Sequence, residues 1–149
     1  MTILRQQLLG ALRASLQADA QLTARVAIGE SVLDALDEAA GSTLVIHRGG
    51  ELPRRTNMGV TDRFCEVLAT VIVRAPAPDV EADRILEIAH PIIVALDLPG
   101  LISIEESVDG GADPPMFGES NSNLCLCTTH YVMHYRTSGD SLGGKLTDG

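Results

Sequence analysis

"DRFCEVLATVIVRA", residues 62–75, decides the fold. Alternate side chains of a strand point to opposite faces. Cys65, Val67, Ala69, Val71 and Val73 therefore share one face, and it is wholly apolar. Phe64, Glu66, Leu68, Thr70, Ile72 and Arg74 share the other, which is mixed. A long strand of this kind belongs to a sheet buried on one side and covered only in part on the other.

Working toward the N-terminus, "TLVIHRGGE" (43–51) reads as a second strand from Thr43 to Arg48 that runs into Gly49-Gly50. "ELPRRTNMGVT" (51–61) reads as a loop, so the two strands form a hairpin with a connection longer than the usual two to five residues. Long loops in compact domains often carry function, and Arg54, Arg55 and Arg63 are rare positive charges around this one. They are candidates for contacting acids on a partner. Farther back, Leu4, Leu8, Leu9, Leu12 and Leu16 form the stripe of an amphipathic helix over residues 2–18, with Thr2 available as N-cap. Between them, "ARVAIG" (24–29) has the composition of a short strand, and Ser31 with Asp34 resembles a capping box opening a short helix.

Toward the C-terminus, "APAP" (75–78) ends the long strand, because proline cannot donate to the ladder. Asp79 is placed to cap a helix whose buried stripe is Ile85, Ile88, Ala89, Ile92 and Leu96, with a kink expected before Pro91. "LISIEES" (101–107) returns as a strand, and "VDGGADPPMFGESNSN" (108–123) reads as a loop. In it Asp109, Asp113 and Glu119 combine with Met116 and Phe117, a mixture of acids and large apolar groups suited to a partner surface. The polar, Gly-rich "SGDSLGGKLTDG" (138–149) has no apolar pattern that would make it fold alone.

The last strand, "NLCLCTTHYVMHYRT" (123–137), places two cysteines and two histidines within ten positions. Alternation puts Cys125, Cys127, Thr129, Tyr131, Met133 and Tyr135 on one side and Leu124, Leu126, Thr128, His130, Val132, His134 and Arg136 on the other. A zinc ion needs four ligands converging at about 2.0–2.3 Å, which ligands on opposite faces of a sheet cannot supply. Cys125 and Cys127, with Cys65 on another strand, read as structural core thiols. His130 and His134 are on the more polar face, where solvated histidines are commoner than metal ligands.

These elements predict one α/β (α+β) domain over residues 1–137 and a flexible polar tail over 138–149. Its architecture is a small mixed or antiparallel sheet with a long hairpin, two main helices and two long loops, 49–62 and 107–122. With 149 residues such a domain buries roughly 68–70% of its unfolded surface. Phe64, Phe117, Tyr131 and Tyr135 are its only aromatics, so the core rests on Leu, Ile, Val and Ala. A net charge of −9 argues against nonspecific attraction to nucleic acid, though not against an acidic wall that DNA slides past. The start lacks a signal-peptide pattern, and no apolar run approaches 18 residues, so no membrane partner is expected. An odd cysteine count disfavours a disulfide framework. Neither "RGGE" nor "DGGAD" has the spacing of a phosphate-binding glycine loop, and "GES" and "SGDS" do not form a nucleophile elbow. The expectation is a protein without catalytic residues or cofactor that works through its surfaces.

Four stretches carry a resemblance: "ALDEAAGSTLVIHRGGE" (35–51), "RFCEVLATVIVRA" (63–75), "EADRILEIAHPII" (81–93) and "MFGESNSNLCLCTTHYVMHYRT" (116–137). In these, and in the order of its elements, the chain resembles the tail terminator proteins of long-tailed bacteriophages, the lambda-type minor tail protein U and its relatives. It lacks the Leu-Pro often found before the strand at Thr43, and its Gly-rich tail has no counterpart there. The resemblance implies an irregular connection before Thr43. It also implies a virion protein at the head-proximal end of the tail, present in the host cytoplasm during assembly. Such a protein forms a hexameric ring that caps the tail tube, meets the tube protein below and a head–tail connector or stopper above, and lets DNA through its lumen without specific binding. Because acidic subunits repel, screening or a divalent cation should favour the ring. Two other readings compete: a connector or stopper of the neck, and a small metal- or thiol-dependent enzyme using the cysteines or histidines.

Overall fold

In a computed structural model, residues 3–37, 41–55, 59–118, 123–138 and 142 are described. The chain runs α1 (Leu4–Gln17), α2 (Ala20–Thr23), β1 (Ala27–Gly29), α3 (Val32–Asp37), β2 (Thr43–Arg55), β3 (Val60–Arg74), α4 (Pro78–Val94), β4 (Leu101–Glu106), β5 (Met116–Phe117) and β6 (Leu124–Ser138). One mixed sheet has the order β1-β2-β3-β6-β4, with β5 also paired to β6. Only β1–β2 is parallel; the other pairs are antiparallel. The α+β class read from the sequence is the observed one.

The core lies between one face of this sheet and helices α1 and α4. Cys65, Val67, Ala69, Val71 and Val73 of β3 are completely buried there, beside Cys125, Cys127, Tyr131, Met133 and Tyr135 of β6. The whole leucine stripe of α1 meets them. Helix α1 begins after Ile3, whose side chain makes no capping bond, and Thr2 is outside the described residues. On α4 the buried line is Pro78, Ala82, Ile85, Ala89 and Ile93, while Ile88, Ile92 and Leu96 are half-buried at its side. The stripe is thus turned from the expected one, because small alanines let the helix lie close to the sheet. Asp79 is not the cap: Ala77 holds that position in a left-handed conformation, and Pro78 starts the helix. Proline suits a first helical turn, where its missing N–H has no partner to lose. The helix continues through Pro91 and ends at Val94.

Among the described residues before Thr43, Ala27–Gly29 and Val32–Asp37 form regular elements, against the irregular connection that the resemblance implies. Strand β1 pairs Ala27–Gly29 with Thr43–Val45, and Ser31 Oγ accepts the Asp34 N–H at 3.3 Å at the start of α3. Helix α3 covers one end of the outer sheet face, where Ala35, Val45 and Ile72 form a second small core with Val32, Leu124 and Leu126.

Of the two expected long loops, the first is largely strand among the described residues, whereas the second is loop apart from a bridge at Ala112 and the two-residue β5. Gly49 and Gly50 do not end β2; they form a bulge, since Arg48 pairs with Val67 and Glu51 with Cys65, leaving two residues opposite Glu66 alone. A Cβ on Gly49 would sit 2.2 Å from Glu66 Oε1, so only glycine lets the Glu66 side chain lie there. Beyond Val45 β2 has no described outer neighbour, and an edge strand tolerates Pro53. The second segment lies along β6 after β4: Ala112 bridges to Thr129, Met116 pairs with Leu126 and Phe117 with Cys125. Its excursion at 107–111 is pinned by Ser107 N–H to His130 O (2.9 Å) and His130 N–H to Gly111 O (2.8 Å). Gly110 is pressed on His130, where a Cβ would come within 2.7 Å of His130 Cβ. The boundary expected at 137 falls at the end of β6. Of the tail beyond Ser138 only Leu142 is described, and its carbonyl accepts the Leu4 N–H at 3.4 Å.

Candidate interaction surfaces

The cysteines and histidines of β6 do face opposite sides. Cys65, Cys125 and Cys127 are free, buried thiols on the core face. Cys125 and Cys127 place their sulfurs 3.6 Å apart, closer than their spacing along the strand suggests. Burial pushes the Cys65 thiol up to about 11. Burial, then the hydrogen bond with Cys125, pushes Cys127 up to about 12. Thiols held protonated are poor nucleophiles and poor metal ligands. Among the described residues no group of three or more His, Cys, Asp or Glu is arranged to hold a metal ion. Cys125→Ser is expected to lower stability by about 1–3 kcal/mol, the cost of an imperfectly satisfied buried hydroxyl. Cys127→Ser should do the same, and both folded variants should keep the wild-type association state. Stoichiometric zinc in freshly purified protein would contradict the structural role.

On the outer face the histidines are tied to hydroxyls and carboxylates. His47 Nε2 meets Thr70 Oγ1 at 3.0 Å, and Thr70 in turn meets Thr128 Oγ1 at 2.9 Å. His130 Nε2 lies 2.9 Å from Asp113 Oδ1 and its Nδ1 lies 3.4 Å from Glu66 Oε2. His134 stacks on Phe64 with centroids 4.4 Å apart and reaches Asp62 Oδ1 at 3.0 Å, where Arg136 Nε donates at 2.7 Å.

Two groups of this face set a pH dependence. Burial, then the nearby positive charge of Arg13, holds His47 below the ordinary histidine value of 6.5. Hydrogen bonds from Arg136 and then His134 hold Asp62 below the ordinary value of 3.8. In both cases the unfolded chain takes up the proton at higher pH than the folded chain. Stability is therefore lost as pH falls, for His47 below about 6.5 and for Asp62 only below about 4. The thermal midpoint of wild type should drop between pH 7.5 and 5 by more than that of His47→Asn. Parallel curves would remove His47 from the account.

The hairpin carries a charged cluster that the sequence did not announce. Because the bulge shifts the alternation by one, Glu51 joins the core face beside Cys65. Its side chain is only 8% exposed; Arg5 Nη1 lies 2.9 Å and Arg63 Nη1 3.5 Å from Oε2. Tyr135 donates its hydroxyl to Oε1. Burial first, and then that bond to Glu51, drives the Tyr135 hydroxyl well above its ordinary value. Arg63 Nε also donates to Thr137 Oγ1 at 2.9 Å. Arg63 is thus engaged inside its own chain and leaves the set of arginines free to meet a neighbour.

The remaining candidates lie on the two margins of the sheet. Arg54 and Arg55 are exposed near the end of β2, without an ion pair among the described residues, and Leu52 beside them is 74% exposed. They sit on opposite faces, since Arg54 pairs with Asp62 and Arg55 with Thr61. At the other margin Asp109, Asp113, Met116 and Phe117 are all exposed, Asp113 being held by His130. Glu119 is outside the described residues. Sequence reasoning missed Glu105, Glu106, Ile102 and Val108, which extend this margin and are exposed too. Their signal was present: the strand "LISIEES" has acids where an inner strand would carry apolar groups. An open concavity between α2 and α4 is lined by Arg25, Arg84, Glu87, Ile88 and Ile92, solvated charges over aliphatic groups. In comparisons with known proteins, the chain matches no family model and no curated protein.

Proposed function

We propose that this chain is a tail terminator of a long-tailed bacteriophage. Copies of it form a ring, hexameric by analogy with the proteins it resembles, that caps the head-proximal end of the tail tube. The ring ends tube growth and offers the head connector a surface, while DNA passes through an acidic lumen. One observation carries this reading: each open margin of one sheet sets exposed large apolar groups beside exposed charges that have no ion pair among the described residues. Leu52, Arg54 and Arg55 mark one margin, and Ile102, Glu105, Val108, Asp109, Met116 and Phe117 the other. The buried polar groups of Glu51, Asp62 and Thr70, by contrast, are satisfied within the chain. Open sheet margins are a liability in a free monomer and an asset in a closed assembly. The four stretches that carry the resemblance coincide with α3–β2, β3, α4 and β5–β6, so they bear on the frame that presents these margins.

Particles assembled without this chain test the proposal. Tail tubes of uncontrolled length that fail to join heads are expected. Tails of normal length attached to heads would refute it.

A further inference from the structure

The geometry points to a head-to-tail contact in which the arginine end of β2 in one copy meets the acidic β4–β5 margin of the next. This rests on the ring reading and assigns its two surfaces. The charges are sorted by position. No Lys or Arg occurs between Arg84 and Arg136, and within that stretch Glu105, Glu106, Asp109 and Asp113 are all exposed. Glu106 has His90 at 3.4 Å and Asp113 has His130, but Glu105 and Asp109 have no ion pair among the described residues. Arg54 and Arg55 likewise have none. Glu51, the acid nearest to them in β2, is already taken by Arg5 and Arg63.

These opposite charges cannot meet within one copy. Strands β3 and β6 stand between β2 and β4, and Arg54 pairs toward Asp62 and Arg136 while Glu105 pairs toward Val132 and Glu66. That separation is about 14 Å across the sheet and about as much along it, beyond the reach of an arginine side chain. Under the ring reading the partner of each margin is a second copy. Two different surfaces meeting make a heterologous contact, which closes into a ring when its rotation allows. Apolar groups accompany both sets of charges: Leu52 at 74% exposure on one side, Val108 at 100% and Phe117 at 51% on the other.

The contact is made by side chains rather than by continuing the sheet. Pro53 on one margin and Pro114 and Pro115 on the other lack an N–H to donate. Each margin is also kinked, by the bulge at Gly49-Gly50 and by a register shift between Leu101 and Ser103. Such features blunt strand addition and leave charge and apolar complementarity as the recognition.

Sedimentation velocity at 0.15 M salt, where the Debye length is about 8 Å, tests the assignment. The samples are wild type, Arg54→Glu with Arg55→Glu, Glu105→Arg with Asp109→Arg, and an equal mixture of the two variants. Thermal melts establish that each variant is folded. Wild type should associate, and each variant alone should associate at least about tenfold more weakly, because its two margins carry like charge. The mixture should recover association, since each variant then offers the other the opposite charge. If wild type associates and the variants match it, or the mixture fails to recover, the surfaces are misassigned while the ring reading stands. A wild type that stays monomeric at every concentration up to the millimolar range removes the contact itself, and particle location then decides the terminator reading separately.

Discussion

Glu51→Ala is expected to lower stability by about 3–5 kcal/mol, the cost of removing one partner from a buried ion cluster. Both Arg5 and Arg63 would lose their carboxylate, with side chains only 17% and 13% exposed, and the Tyr135 hydroxyl would lose its acceptor. Against a domain total of about 5–15 kcal/mol that is a large fraction. Arg5 belongs to α1, Arg63 to β3 and Tyr135 to β6, so the loss would also loosen the joint between the first helix and the hairpin. Glu51→Gln should cost less, because its amide oxygen still accepts from Tyr135. Denaturant titration reads the difference as a shifted midpoint at unchanged slope. A loss below about 1 kcal/mol for the alanine variant would mean that the cluster behaves as a solvated surface pair.

Leu12→Ala is expected to cost about 2–5 kcal/mol through lost burial and the cavity left behind. Leu12 is completely buried in the main core, between Leu8 and Leu16 on the stripe by which α1 covers the sheet. Gln17→Ala, at an exposed position of the same helix, should stay within about 0.5 kcal/mol of wild type. Equal losses at the two positions would show that α1 contributes helix propensity rather than packing.

These two residues differ in how plainly they can be read. The leucine stripe is a local pattern, and periodicity alone placed all five leucines in the core. The alternation of β3 and β6 is equally local, which is why the cysteines fell on the buried face and His130 and His134 on the other. Glu51 was illegible because its face depends on whether Gly49-Gly50 ends the strand or bulges it. That choice is made by Glu66 and the pairing with β3, far along the chain. The same limit hid the short pairing of Ala112, Met116 and Phe117 with β6, which nothing local to Pro114-Pro115 advertises. On α4 the eye follows large side chains, whereas Ala82 and Ala89 set the line of closest approach. Before Thr43 the residues themselves, a short β-type run and a Ser-Asp cap, were the better guide than the resemblance.

For the candidate surfaces, composition pointed to segments that are exposed in the fold but not to the engagement of each group. Arg54, Arg55, Asp109, Met116 and Phe117 are exposed as a partner surface requires. Arg63 looked equivalent to its neighbours in sequence and is committed to Glu51 and Thr137 in the fold. Deleting 109–119 to probe the acidic segment would strip β6 of the neighbour that pairs with Cys125 and Leu126, so surface substitutions separate contact from folding more cleanly.

Imaging purified phage particles with a label directed at this chain tests the central claim most directly. The terminator account predicts a single ring of label where the tail tube meets the head. Label confined to the neck above that junction would indicate a connector or stopper, and label at the distal tip, on the capsid or absent from particles would contradict the account.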